Sequence, residues 1–307
     1  MRYEGVTVLG NVVALPAPIS VKIRMDEDAP AHSFTGIFPV DTPPVSFLTC
    51  RIWRGDELVF RGILDEQSVC VEKSGMTLRL TARSEAALLL DNEALPQTYI
   101  NPSLKQLFDR HAAPYGFAGM AGNQGAFRGK LTVKKGMSEW QVFEEFCGYF
   151  LGTTPRVTYF GILDATGKPS EKQVVFSNQG GISYRSLIHH GWYHKRISQI
   201  HLQAGVGEGY QGLVTDVETA EMGIQRKRYR TATNYMGNRS LKIARRSAEE
   251  WVLCCPSPLV GELGAGAQVS DPVLGRIDGV TVAKLAYQLD SRGELCTVTL
   301  RKEEWGR

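Results

Sequence analysis

Long hydrophobic runs are missing from this chain of 307 residues. No stretch approaches the roughly 18–20 apolar residues that a membrane-spanning helix needs, so no membrane insertion is expected. Residues 1–18 lack a cationic segment followed by a continuous apolar core, so no signal peptide is read there. Charge of one sign is scarce as well. The formal net charge of +3 gives no global field toward nucleic acid or an anionic membrane. The six cysteines, Cys50, Cys70, Cys147, Cys254, Cys255 and Cys296, are scattered and contain no CxxC pair. Free, mostly buried thiols in a reducing compartment fit that usage, which places synthesis and folding in a cytoplasm. Catalytic signatures are also absent: there is no G-x-S-x-G, no S-x-x-K and no phosphate-binding loop. The paired acids Asp26/Asp28 and Glu144/Glu145 have nothing around them that positions a bond for cleavage. These absences lower the expectation of an enzyme and name neither a catalytic residue nor a cofactor or metal ligand.

What is present is ordinary for a folded protein: 43% hydrophobic and 22% charged residues. At about 100–200 residues per domain, the length suggests two or three domains, with a core large enough to need no disulfide. Residues 1–94 read as short strands. Residues 6–8 and 19–24 alternate partially, and a loop rich in Asp and Pro is expected over 26–44. Residues 46–53 run into the turn Arg54-Gly55-Asp56-Glu57, and 58–65 return. A second hairpin joins 68–72 to 76–82 through Lys73-Ser74-Gly75, with Met76, Leu78, Leu80 and Ala82 on one face. Several short strands at this spacing suggest a small barrel or sandwich.

Residues 95–181 change character. Asn101-Pro102 is read as the start of a helix carrying Leu104, Leu107, Phe108 and His111 on one face, ended by Pro114-Tyr115-Gly116. A second helix starts at a capping box of Ser138 and Gln141, with Met137 and Val142 as a hydrophobic staple and Gly152 at its end. Strands at 156–163 and 172–177, joined by a turn at 164–169, complete an expected α+β unit. Residues 182–307 return to strands: 197–204, then 268–271, 279–289 and 294–302, with Asp290-Ser291-Arg292-Gly293 as a hairpin turn. A glycine-rich loop covers 205–212, and helical spacing of Leu241, Ala244, Ala248 and Trp251 predicts a helix over 241–252. The order is therefore β region, α+β insert, β region, without a residue-level repeat between the flanks.

Four patterns invite a chemical reading, and each has a plainer one. Gly207-Glu208-Gly209-Tyr210-Gln211-Gly212 matches G-x-G-x-x-G, but strand-like residues 213–217 follow where a dinucleotide site needs a helix, so a loop is favoured. His189, His190, His194 and His201 cluster. His190 and His194 have zinc-compatible helical spacing, yet Gly191, Trp192 and Tyr193 argue against a helix there. Exposed or interface histidines fit better. Cys254 and Cys255 on a strand face opposite sides and suit buried structural thiols. The basic runs 226–230 and Arg239, Lys242, Arg245 and Arg246 are diluted by Glu218, Glu221, Glu249 and Glu250. They read first as a solvated or inter-subunit face, and second as a phosphate grip.

One ordered set of segments is distinctive. Residues 60–67 (FRGILDEQ) and 75–84 (GMTLRLTARS), then 86–94, Tyr99, Asn101-Pro102 and a helix, resemble the baseplate hub proteins of contractile phage tails, the late control D-like family. The variant resembled is that of phages and tail-like bacteriocins of Gram-positive bacteria. Residues 136–143 before 155–157 are similar to that family's insert, and 264–269 with 279–282 and the last hairpin are similar to its closing barrel. The resemblance implies a mainly β fold with two tube-like barrels, 1–94 and 182–307, flanking the α+β insert 95–181. It implies a homotrimer that presents a pseudo-sixfold face to the tail tube protein and a threefold face to the spike protein; the chain is shorter than the longest hubs, so the spike is expected as a separate polypeptide. Its lumen would admit the tape measure protein, with DNA only in passage. Two other readings stay open: a tail-associated cell-wall hydrolase and a nucleic-acid-binding β protein.

Overall fold

A computed structural model describes residues 1–303 apart from 159, 169, 204, 206, 232 and 233. Pro169 and Ala204, each ending an expected element, and Val206 of the glycine-rich loop therefore lie outside the described residues. The first region supplies β1 (Arg2–Thr7), β2 (Val12–Ala14), β3 (Ser20–Asp26), β4 (Ser33–Val40), β5 (Phe47–Arg54), β6 (Glu57–Glu72) and β7 (Gly75–Ser84). Next come α1 (Ala87–Asp91), β8 (Gln97–Ile100), α2 (Leu104–His111), β9 (Gly119–Ala121), β10 (Lys130–Val133), α3 (Glu139–Phe146), β11 (Arg156–Val157) and β12 (Ile162–Asp164). The remainder supplies β13 (Ser170–Ser177), β14 (Ser186–Gly191), β15 (Gln199–Gln203), β16 (Gly212–Thr215), α4 (Val217–Glu221), β17 (Lys227–Thr231), α5 (Asn234–Ser247), β18 (Glu249–Cys255), β19 (Ala265–Asp271), β20 (Gly275–Asp290) and β21 (Gly293–Lys302).

The fold is mainly β, as the alternation predicts. Strands from both flanks join one 13-stranded sheet, running β14-β18-β21-β20-β3-β4-β7-β6-β5-β1-β2, with β19 and β13 branching from β20. The antiparallel pair β3–β20 is the junction between the flanks. Among the described residues, neither flank closes into a barrel within the single chain, since β14 and β2 end the strand order. A single apolar core runs beneath, from Ile23, Phe34, Phe38 and Phe60 in the first flank to Leu253, Val282 and Val298 in the second. The insert has a separate core, in which Leu104, Leu107 and Phe108 of α2 meet Trp140, Phe143 and Phe146 of α3. A third, small cluster joins Ile200 and Leu202 of β15 to Leu241 of α5.

Several expected elements differ from the structure. The loop expected over 26–44 contains β4, where Phe34, Gly36 and Phe38 point inward. A glycine in the middle of the apolar face hides the alternation. Pro39 falls beyond β3's last partner on β4, Ile37. The helix α2 is capped by Ser103, whose hydroxyl accepts from Gln106 N–H, and not by Asn101. Asn101 sits at φ 50°, outside the extended region that an N-cap occupies, and its side chain accepts from Gly129 N–H instead. The capping box of Ser138 and Gln141 forms, and Gly152 ends the following π turn at φ 73°. The return strand expected beside 156–163 is β13, which leaves the insert and pairs in parallel with β19. The helix expected to reach Val252 stops at Ser247, because Trp251, Leu253 and Cys255 alternate inward as strand β18.

His32, at the end of the β3–β4 connection, is buried, and burial pushes its imidazole down to about 4 against the raising effect of Asp26. The unfolded chain therefore takes up this proton first. Stability from the neutral ring is fully present above the ordinary histidine value of 6.5. It is lost as pH falls toward 4, by about 3 kcal/mol at roughly 1.4 kcal/mol per pH unit. Thermal midpoints from pH 7 to 4 are expected to fall less steeply in His32→Gln than in the parent; parallel slopes would contradict this.

Candidate assembly interface

The two flanks contain the same three-strand meander, β5-β6-β7 and β19-β20-β21. β6 and β20 are both 16 residues long, and β7 and β21 are both 10. Both hairpins turn over two residues, Lys73-Ser74 and Ser291-Arg292. Each long strand carries a bulge at the same place: the register skips Asp65 between Leu64 and Glu66, and Ala283 between Val282 and Lys284. Beyond the bulge the partners also match, Glu66 facing Thr81 and Lys284 facing Thr299. Inward positions coincide, with Leu78, Leu80 and Ala82 matching Cys296, Val298 and Leu300, all buried. The pattern is kept while the residue types change, so the duplication escapes a residue-level comparison.

The meanders differ in what lies beside the outer half of the long strand. On β20, the inner half pairs with β19 and the outer half, from Lys284 to Leu289, pairs with β3. On β6, the inner half pairs with β5 as far as Ile63, and the segment from Glu66 to Glu72 has a strand neighbour only in β7 among the described residues, while the Gln67 side chain accepts from Phe47 N–H and donates to the Val45 carbonyl. The exposure follows. Tyr287 of β20 is 2% exposed, whereas Val69 and Val71 at the matching height of β6 are 43% and 75% exposed. An arm with an open backbone edge and apolar residues on its core side can accept another strand.

The residues singled out in the sequence fall in several places. Gly212 opens β16, so the G-x-G-x-x-G segment leads into a strand. His189 and His190 lie on β14, His194 in the turn Tyr193–Lys195, and His201 on β15. Each of three stacks on an aromatic ring: His189 on Trp251, His190 on Trp192 and His201 on Tyr229. His189 also bonds Glu249 at 3.0 Å. Among the described residues, no three His, Cys, Asp or Glu side chains group as metal ligands. Cys255 is buried and Cys254 only partly so, as neighbours on a strand should be. Burial pushes the thiols of Cys50, Cys147, Cys255 and Cys296 up to about 12, and Cys70 alone is exposed. The basic runs divide. Arg239 donates to Thr154 and the Thr153 carbonyl, Arg245 pairs with Asp216, and Arg246 pairs with Glu27. Residues 227–231 form β17 and are exposed. Asp26 and Asp28 pair with Lys284 and Arg301 and so help hold the β3–β20 junction.

The sequence did not show the polar cluster in the wall of a 750 Å³ groove in the insert, lined in part by Gln97, Tyr99 and Arg110. Tyr99 Oη lies 2.8 Å from His111 Nε2, His111 Nδ1 meets Glu139, and Tyr115 donates to Glu139 at 3.0 Å. Burial holds His111 below the usual histidine range, against the opposing pull of Glu139. The cluster ties α2 to α3. His111 was legible as the last residue of α2's apolar face, but Glu139 was not, because an acid in a helix's first turn is ordinarily exposed.

No protein-family model and no curated protein matches the sequence. Solved structures share the fold. The 43 kDa tail protein of prophage MuSo2 from Shewanella oneidensis superposes with a TM-score of 0.78 at 15% identity, over 98% of this chain and 97% of that one. The fold is that of a phage tail protein. A tail protein from Neisseria meningitidis MC58 gives the same TM-score of 0.78 at 18% identity, over 98% and 97% of the two chains. An Escherichia coli component of the type VI secretion system, described as structurally similar to the T4 tail proteins gp27 and gp5, gives 0.60 at 8% identity, over 94% and 74%. The chain thus shares its fold with phage tail proteins and with a component of a secretion machine. Among the described residues, no helix is long and apolar enough to cross a membrane.

Proposed function

We propose that the chain is a structural baseplate hub subunit: a homotrimeric, pseudo-sixfold ring that joins the hexameric tail tube to a threefold spike. The observation that carries this reading is the duplicated meander, which gives one chain two copies of the same strand arrangement. Three such chains present six equivalent units and still obey threefold symmetry, so a single ring can meet a sixfold tube on one face and a threefold spike on the other. The organisation is a β domain at 1–94, an insert at 95–181 that has its own core up to Ala165 and sends β13 into the main sheet, and a second β domain at 182–307. The partners are the tail tube protein, a spike protein and the tape measure protein in the lumen, with DNA only in passage. The particle is a virion tail or tail-like machine assembled in the host cytoplasm, and the role is mechanical, without catalysis or cofactor.

Electron microscopy of the purified protein tests this. Class averages are expected to show a ring with six similar lobes, threefold symmetry and a central opening. A twofold particle, or one without an opening, would overturn the reading.

A further inference from the structure

The duplication extends past the meanders to the strands that flank them. β4 lies beside β7 as β18 lies beside β21, with Phe34 opposite Ala82 and Trp251 opposite Leu300. β3 lies beside β4 as β14 lies beside β18, with Ile23 opposite Phe34 and His189 opposite Trp251. β14 is therefore the counterpart of β3. Inside the chain, β3 fills the outer half of β20, pairing Ile23 with Tyr287 and Val21 with Leu289. Two halves of that same contact are left over. One is the outer half of β6, matching β20, and the other is the free edge of β14, matching β3.

Resting on the ring reading above, we infer that β14 of one chain pairs antiparallel with the outer half of β6 in a second copy, in the register that β3 and β20 use within the chain. Carrying each residue to its counterpart sets Glu66 opposite Trp192, Gln67 opposite Gly191, Ser68 opposite His190, Val69 opposite His189, Cys70 opposite Ile188 and Val71 opposite Leu187. The occupant is another copy because the edge that fits β6 is present in the chain itself and otherwise has no partner strand among the described residues. The faces agree. Val69 and Val71, exposed in the single chain, are set on the core side opposite His189 and Leu187, whose counterparts Ile23 and Val21 are buried. The contact is head to tail, so repeating it and the internal junction in turn leads around a ring whose backbone hydrogen bonds are continuous.

The register places the exposed Cys70 opposite Ile188, which is itself 48% exposed. Directly opposed residues in an antiparallel pair have Cα atoms about 4.5–5.5 Å apart, within the range a disulfide spans. Ile188→Cys oxidised with diamide is expected to give dimer and trimer bands on a non-reducing gel, cleared by reductant. The bands should be lost in Cys70→Ser/Ile188→Cys. Leu187→Cys, whose side chain points to the other face, should not cross-link through Cys70. Light scattering on the same samples separates the two claims. A trimer without cross-linking through Cys70, or equal cross-linking by both variants, overturns the register and leaves the ring standing. A monomer without cross-linking overturns both.

Discussion

Replacing Arg301 with alanine is expected to destabilise the chain by about 3–5 kcal/mol, because it strips a buried carboxylate of its cation. Arg301 is 6% exposed and spends its whole guanidinium on acids. Nε and Nη2 reach Glu250 at 2.8 and 2.6 Å, and Nη1 bonds Asp28 and lies 3.5 Å from Glu27. These groups come from β21, β18 and the β3–β4 connection, so the cluster pins the junction of the two flanks. Arg301→Lys should recover only part of the loss, since one ammonium cannot serve three directions. Burial already holds Glu27 above the usual carboxylate range, with Arg246 and Arg301 opposing it. Removing Arg301 raises it further, so the deficit should shrink as pH falls into the carboxylate range. The internal control is Arg83, which holds the matching position on β7. It pairs with Asp65 and Asp91, but its side chain is 36% exposed. Arg83→Ala should therefore cost about 1 kcal/mol or less. Denaturant titration of the two variants checks the contrast, and equal losses would show that the cluster does not depend on burial.

Phe38→Ala is expected to cost about 3–5 kcal/mol, the range for deleting a buried aromatic ring. Phe38 is fully buried and meets Tyr3 edge-on at a centroid distance of 5.6 Å. It belongs to a large-small-large set, Phe34-Gly36-Phe38, that the other flank replaces with Trp251-Leu253-Cys255. The two sets fill the same place with different divisions of volume. A Cβ on Gly36 would stand 2.6 Å from the Phe34 ring and 2.7 Å from the Phe38 ring. Gly36→Leu should thus be poorly tolerated even though leucine occupies the matching position. Gly36→Leu combined with Phe38→Cys, which opens the space, should cost less than the sum of the single changes. Additive losses would mean that the two flanks are packed by unrelated rules.

The sequence made part of this legible. The capping box before α3, the apolar face of α2 and both long hairpins declare themselves through spacing, because local chemistry decides them. β4 was hidden because its inward face includes Gly36. The end of α5 was misplaced because Trp251 fits both a helical and an alternating spacing, and only burial against β21 chooses between them. The duplication was illegible for a deeper reason. Its matched positions keep burial and register but few residue types, Gly75/Gly293, Thr81/Thr299 and Arg83/Arg301 among them. Backbone pairing conserves a shape that many side chains can fill. The open edge of β6 could not be read either, since an exposed Val69 and Val71 look in sequence like any strand face until the missing neighbour is seen.

The account turns on the two open edges meeting in a closed ring. The most direct test is the mass of the purified, unmodified chain by light scattering at several concentrations. A plateau at three times the chain mass of 33.9 kDa is the predicted result. A single-chain mass that persists to the highest concentration would contradict it.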